Sequence, residues 1–571
     1  MDSSLEALRA QLREAVDECT SRGLLFSAKW AAEQLCSLPA RDAHAATADF
    51  TPEPAMESSE ARERRERWKR SDAEDRDRFA MAKCLFDMRE FDRAAFYLQD
   101  CQGPRAQFLR LYSRYLSRER RTCESGAAGS QAHRSQDRNA AAADRELLAI
   151  RDELQTVDGE NDLDSFGLYL LAMVHKALGQ LDRARDTCLR SVRLFEYNWS
   201  AWLLLEACVD LREPLEKLGA LLPSGWMRHA FLAHLLLELF TSGSEEFTMH
   251  YQVLERLFPQ SPFVIGLRAV RHYNMREFEE ANALFATLQN VDPYRLELSD
   301  IHSNILYVME DRARLGQLAH RCASLDRFRP ETCCVIGNYY SLRREHEKAV
   351  GYFQRALQLD RNYLAAWTLM GHEYIEMKNT AAAIDAYRHA VDVDERDYRA
   401  WYGLGQTYEM LNMPHYALNY YMRAAALRPY DSRMWCALAN CYELSGRPEQ
   451  AIDCYRRALI GTSESEQLAI SRLAKLYVDG GDKKLAAYYY QLLYEHAIKN
   501  SSGTADAGGQ QGDELAGACI YLASFEQERG NVEVAQQYLA QVVDGASGGA
   551  SAQRVEEAKA MMRAMMSDIQ G

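Results

Sequence analysis

The stretch Trp401-Tyr402-Gly403-Leu404-Gly405-Gln406-Thr407-Tyr408 reads W-x-x-L-G-x-x-Y, and Ala417, Tyr421 and Pro429 follow it. A single match of this kind is weak, but here it recurs at steps of 34 residues. Tryptophan returns at 367, 401 and 435, and the small residue at Gly337, Gly371, Gly405 and Ala439. The tyrosine ladder is Tyr340, Tyr374, Tyr408 and Tyr442, and a second small-residue ladder is Ala349, Ala383, Ala417 and Ala451. Phe353, Tyr387, Tyr421 and Tyr455 keep the same phase, each followed by alanine at 356, 390, 424 and 458. A fixed period of this length marks stacked supersecondary units, each too small to bury its apolar face alone.

These residue types suit a pair of antiparallel helices. The pattern predicts that Gly371 and Gly405 on the first helix admit the second helix where Ala383 and Ala417 sit. Large rings such as Tyr374 and Phe353 then fill the spaces between pairs. Asp397 is placed to N-cap the first helix, Asn412-Met413-Pro414 to form the turn and Pro429 to stop the second helix. Trp401, buried by this pattern, is worth about 3–5 kcal/mol against alanine. The pattern is that of tetratricopeptide repeats, so the expected fold is an all-α superhelical solenoid of stacked antiparallel helix pairs.

The register continues, weakened, in both directions. Ala281, Phe285 and Pro293, then Leu315, Ala319 and Cys322, lie upstream, and Tyr477, Ala486 and Tyr490 follow a one-residue insertion. Ala172 with Ala184, Trp202, and Ala82, Leu85, Ala94 and Leu98 carry it toward the start, and Leu5 to Leu38 reads as a hairpin around Trp30. The expected layout is N-terminal helical repeats over 1–120 and a flexible insertion over 121–145. Central repeats over 146–292 and C-terminal repeats with a ligand groove over 293–500 come next. A second flexible insertion over 501–512 and a terminal repeat with capping helix over 513–571 complete the chain. The charge run Arg62 to Arg67 alternates in sign and reads as a solvated helix or linker.

Composition narrows the function. The chain has 571 residues, 68 basic against 83 acidic, for a net charge of −15, which disfavours nucleic acid. The longest apolar run, Phe231 to Phe240, is half a membrane span and is interrupted by His234 and Glu238. No secretory signal is read at the start, so an intracellular soluble protein with no membrane contact is expected. Fourteen cysteines show no Cys-x-x-Cys pair, and Cys188, Cys208, Cys322 and Cys454 sit in apolar helical patterns, as small buried residues do. P-loop, dinucleotide, zincin and kinase motifs are missing from the sequence. The lone G-x-S-x-G string, Gly545 to Gly549, lies among small residues rather than between a strand and a helix. No catalytic, metal or cofactor residue is assigned, and a binding scaffold is expected.

The first helices of such pairs line a concave side. The position after the small residue reads Asn304, Asn338, His372, Gln406 and Asn440, all hydrogen-bonding. Three residues on come Tyr307, Ser341, Ile375, Glu409 and Glu443, with Glu373 and Glu376 nearby. An amide ladder edged with carboxylates holds an extended peptide by its backbone and accepts an arginine. The candidate peptide-binding residues are therefore Asn304, Asn338, His372, Gln406, Glu409, Asn440 and Glu443. Those assigned to repeat packing are Trp367, Gly371, Tyr374, Ala383, Trp401, Gly405, Tyr408, Ala417 and Tyr421. A clamp for a carboxylate-terminated chaperone peptide is the alternative adaptor reading. It needs cations in the groove, and Cys334, Thr368, Tyr402 and Cys436 supply none.

The segments Glu331 to Leu342, Ala366 to Tyr374, Glu376 to Thr380 and Arg396 to Tyr408 closely resemble the anaphase-promoting complex subunit 8, or cell-division-cycle protein 23, family. The likeness is strongest from Pro293 to Ser445, with echoes at Asp92–Leu98 and Ser113–Ser117. The resemblance implies a non-catalytic subunit of a cullin–RING-type ubiquitin ligase controlling anaphase onset and mitotic exit, in nucleus and cytoplasm. It also implies a homodimer through the N-terminal repeats, stacking on other subunits of the complex, and a C-terminal groove that receives the arginine-bearing N-terminal segment of a co-activator.

Overall fold

The computed structural model describes residues 2–38, 59–127, 133–159, 163–209, 215–239, 245–460, 466–501, 509–544 and 551–570. These form helices and short turns with no strand among the described residues, and α1 (Asp2–Ser21) to α30 (Ala552–Gln570) are numbered along the chain. Gly545 to Gly549 falls outside the described residues. The chain divides into two compact units, Met1–Ile305 and Leu306–Gly571. That division lies inside α16 (Ser299–Val308) rather than at the expected break after residue 292.

In the second unit the repeat is realised as read. The pairs are α18 (Pro330–Leu342) with α19 (His346–Leu359), α20 (Leu364–Glu376) with α21 (Thr380–Val393), α22 (Tyr398–Met410) with α23 (Pro414–Leu427), and α24 (Ser432–Leu444) with α25 (Pro448–Ala458). Asp397 caps α22 by accepting from the Arg399 backbone N–H at 3.1 Å, and Asp431 caps α24 in the same way at 3.1 Å. Each first helix ends on a left-handed residue: Arg344, Lys378, Asn412 and Gly446, again 34 apart, with φ of 62°, 59°, 55° and 70°. The next N–H reaches back five residues, as from Met413 to the Tyr408 carbonyl at 3.0 Å, which closes the Schellman turn.

The glycines admit the second helix, as expected, and the contact is made by its aromatic ring. A Cβ on Gly371 would lie 2.5 Å from Cε1 of Tyr387, and one on Gly405 2.5 Å from Cε1 of Tyr421. Gly337 is related in the same way to Phe353. The small residue thus admits the second helix through the ring sixteen positions on. Ala383 and Ala417 are fully buried beside these rings. Tyr387 also reaches the following pair, since a Cβ on Gly403 would meet its ring at 2.4 Å. Tyr374 is half-buried and packs against the cores of two consecutive pairs, beside the fully buried Tyr387 of the second helix.

Tryptophan does more than fill space. The indole N–H of Trp367, Trp401 and Trp435 donates to the carbonyl six residues earlier, of Arg361, Glu395 and Pro429, at 2.9, 2.9 and 2.7 Å. Each tryptophan therefore pins the loop joining its pair to the one before. Trp401 is 8% exposed, and the Arg423 guanidinium lies over its ring at 4.7 Å.

The first unit stacks pairs such as α8 (Ser165–Ala177) with α9 (Leu181–Leu194) and α12 (Trp226–Glu238) with α13 (Glu245–Leu257). Hairpin α1–α2 (Leu25–Ser37) lies across the starts of successive first helices. Trp30 stacks on Trp199 at 4.6 Å and on Trp226 at 5.8 Å, while Ser27 bonds Asn198 and Gln34 bonds Ser261. Helices α6 (Pro104–Ala127) and α7 (His133–Gly159) run through most of 121–145, where a flexible insertion was expected. Likewise α27 (Lys483–Ser501) and α28 (Gly509–Glu528) leave only 502–508 of the second insertion undescribed. The charge run lies in helix α3 (Ser59–Glu74). Eleven of the thirteen described cysteines are buried, the exceptions being Cys36 and Cys84. No described helix is long and apolar enough to cross a membrane.

Candidate peptide-binding groove

The first helices α20, α22 and α24 bring part of the polar ladder of the second unit to one wall. His372, Ile375, Glu376, Gln406, Glu409 and Met410 line a concavity of about 400 Å³. Glu409 accepts from the Tyr421 hydroxyl at 2.7 Å and from the Asn440 amide at 2.7 Å. Its carboxylate is thereby oriented by the ring that Gly405 admits and by the next rung of the ladder. Burial, together with Glu409, pushes the Tyr421 hydroxyl well above its ordinary pKa, so it stays a donor. Glu443, one pair later, lies beside Arg472 at 3.8 Å, and burial together with Glu443 keeps Tyr455 protonated.

His372 is held neutral. Burial, and then the charge of Arg399, push it down to about 4, and its Nδ1 shares a 2.7 Å bond with the Tyr387 hydroxyl. A neutral imidazole and the Gln406 amide beside Glu409 and Glu376 make an acidic concavity whose lining residues include no lysine or arginine. Such a wall offers charge-assisted bonds to a guanidinium.

Two candidates stand elsewhere. Asn338 is only 3% exposed and has its own partner within the protein, so it packs rather than opens to solvent. A buried amide must be satisfied internally, and the ladder position alone did not reveal that burial. Asn304 belongs to the first unit, at the end of which it is half-buried. Glu373 is 5% exposed and takes bonds from Ser341 at 2.6 Å and His346 at 2.8 Å, tying α18 and α19 to α20. The sequence reading missed Met410, whose counterpart Leu444 is also exposed. The signal was present, as an apolar residue directly after Glu409 and Glu443.

The anaphase promoting complex subunit 8/Cdc23 family model matches residues 7–269, and tetratricopeptide-repeat models match 330–363, 364–397, 398–431 and 432–460. The family model thus covers the half in which the sequence reading found only echoes. Anaphase-promoting complex subunit 8 of Arabidopsis thaliana is 38% identical over 371 residues, 62% of each chain. The Dictyostelium discoideum subunit 8 is 35% identical over 61% of this chain and 65% of its own. The human cell division cycle protein 23 homolog is 43% identical over 57% of this chain and 50% of its own. The matched region spans less than two thirds of each of these relatives. Over residues 7–269 the chain is similar to the anaphase-promoting complex subunit 8/Cdc23 family.

Proposed function

We infer that this chain is a non-catalytic scaffold subunit of the anaphase-promoting complex. Its second-unit groove docks the arginine-bearing N-terminal segment of a co-activator, its N-terminal helices pair two copies, and it stacks on other repeat subunits in nucleus and cytoplasm. The likeness to subunit 8/Cdc23 relatives supports the scaffold role. The observation that carries the docking role is the carboxylate of Glu409, aimed by Tyr421 and Asn440 beside Gln406, neutral His372 and exposed Glu376. The residues lining this concavity include no lysine or arginine, which disfavours a carboxylate-capturing chaperone clamp.

Fluorescence polarisation with a labelled co-activator peptide, and the same peptide with its arginine replaced by alanine, tests the docking role. Losing a charge-assisted bond is worth about 1.5–3 kcal/mol, so Glu376→Gln and Glu409→Gln are each expected to weaken binding roughly tenfold or more. Glu376 is exposed, so its substitution leaves packing intact. Equal binding of both peptides, or by both variants, would sink the groove assignment.

A further inference from the structure

The second helices of the second unit, from α17 (Arg312–Leu325) to α25, carry a ladder of their own. Arg321, Arg355, His389, Arg423 and Arg457 follow one another at steps of 34 residues. Rings hold four of these rungs in place. The Arg355 guanidinium lies over Phe328 at 5.4 Å, Arg423 over Trp401 at 4.7 Å and Arg457 over Trp435 at 5.0 Å. The His389 ring meets Trp367 at 4.7 Å. Beside two rungs, Arg388 donates to the Tyr408 hydroxyl at 3.1 Å and Arg456 to that of Tyr477 at 2.6 Å. The groove concavity is lined from the first helices, and none of these residues lines it.

A ring takes the face of a guanidinium and leaves its in-plane N–H groups free for a carboxylate. Among the described residues, no hydrogen bond or ion pair uses those groups in Arg355, Arg423 or Arg457. Covering a ring does not by itself go with such an unpaired edge. Arg343 over Tyr339 is completed by Glu345 at 3.0 Å, and Arg428 over Tyr398 by Asp431 at 3.5 Å. Arg399 over Tyr398 is completed by Asp397 at 3.0 Å, and Arg529 over Phe525 by Glu526 at 3.2 Å. In the ladder the ring is present and the carboxylate is missing. Arg388, Arg423, Arg456 and Arg457 are also exposed, so a carboxylate from outside can reach them.

We propose that the outer face of α17, α19, α21, α23 and α25 docks an extended aspartate- or glutamate-rich segment of a partner protein, its carboxylates supplying the missing pairs. Arginines already oriented by rings lose little freedom on binding, which favours this face as a recognition surface. Exposed Asp385 and Asp453 stand three residues before Arg388 and Arg456, and they interrupt the basic face. That disfavours a continuous polyphosphate such as nucleic acid, whereas carboxylates on a flexible chain can be spaced to avoid them. The face lies outside the groove and does not depend on co-activator docking.

Fluorescence polarisation of the full chain with a labelled polyglutamate peptide is the test. Binding is expected that weakens at least tenfold when salt is raised from about 50 to about 200 mM. Arg423→Gln and Arg457→Gln should each weaken it about threefold, and together about tenfold. Exposed Arg563→Gln on α30 should leave it unchanged. Arg388→Gln uncovers no tryptophan and should also weaken binding, so the test stands even if Arg423→Gln unfolds. Both single variants should bind the arginine-bearing groove peptide as before, which separates this face from the groove. No salt-dependent binding, equal losses in Arg563→Gln, or tighter binding of labelled oligothymidylate than of polyglutamate would overturn the proposal.

Discussion

Alanine at Gly403 probes the junction between consecutive helix pairs. An added Cβ would meet Cζ and Cε1 of Tyr387 at 2.4 and 2.5 Å, against an ordinary contact of 3.4 Å or more, so the ring must retreat by about 1 Å. It has nowhere to go: Tyr387 is fully buried, its hydroxyl is tied to His372, and Gly371 faces the same ring at 2.5 Å. Overpacking of this kind costs about 1–3 kcal/mol and outweighs the gain of about 1 kcal/mol from alanine's better helix propensity. Gly403→Ala and Gly371→Ala should therefore each destabilise the second unit by up to about 2 kcal/mol. Gly351, also inside a helix, has nothing within 4 Å of such a Cβ. There alanine should stabilise by about 0.5–1 kcal/mol. Urea unfolding followed by far-UV circular dichroism compares the three, and amide exchange in α20 to α22 localises the loss. Tyr387→Leu should make Gly403→Ala better tolerated, because the two changes act on one contact. If Gly403→Ala behaves like Gly351→Ala, the ring does not couple the pairs and the packing account is wrong.

Trp401→Phe keeps a ring but removes the bond to the Glu395 carbonyl, and should cost about 1 kcal/mol or slightly more, against about 3–5 for Trp401→Ala; equal losses in urea unfolding would deny the loop-pinning role. Asp431→Ala removes a cap and its pairing with Arg433 at 2.7 Å, and should cost about 1–2 kcal/mol in the same assay, more than the less buried cap Asp311→Ala. His372 is depressed to about 4 from about 6.5 in the unfolded chain, so between these values the unfolded state binds the proton and stability falls as pH falls. His372→Gln should flatten that decline, read as a smaller drop in urea midpoint between pH 7 and pH 5; an unchanged drop would mean His372 is not the group.

The period made the second unit legible because it repeats at the positions that pack. Phe353, Tyr387, Tyr421 and Tyr455 are all buried, as read. It did not say which side chain each glycine admits, since spacing gives a position on a helix and not the reach of a ring. The left-handed turn was visible only at Asn412 and Gly446. At Arg344 and Lys378 the same backbone is adopted by residues that do not favour it, held by the turn's own hydrogen bonds. The stack of Trp30 on Trp199 and Trp226 joins parts of the chain that no period relates, so it was out of reach. In the groove, Gln406 and Glu409 were legible from the ladder. Asn338 was misread because burial depends on how the neighbouring helices close over it.

The central claim is membership of a particular assembly through this scaffold. Affinity purification of the tagged full chain from dividing cells, with co-purifying proteins identified by mass spectrometry, tests it most directly. The account predicts the other subunits of the anaphase-promoting complex in the eluate. Recovery of the chain without those subunits, or with chaperones in their place, would contradict it.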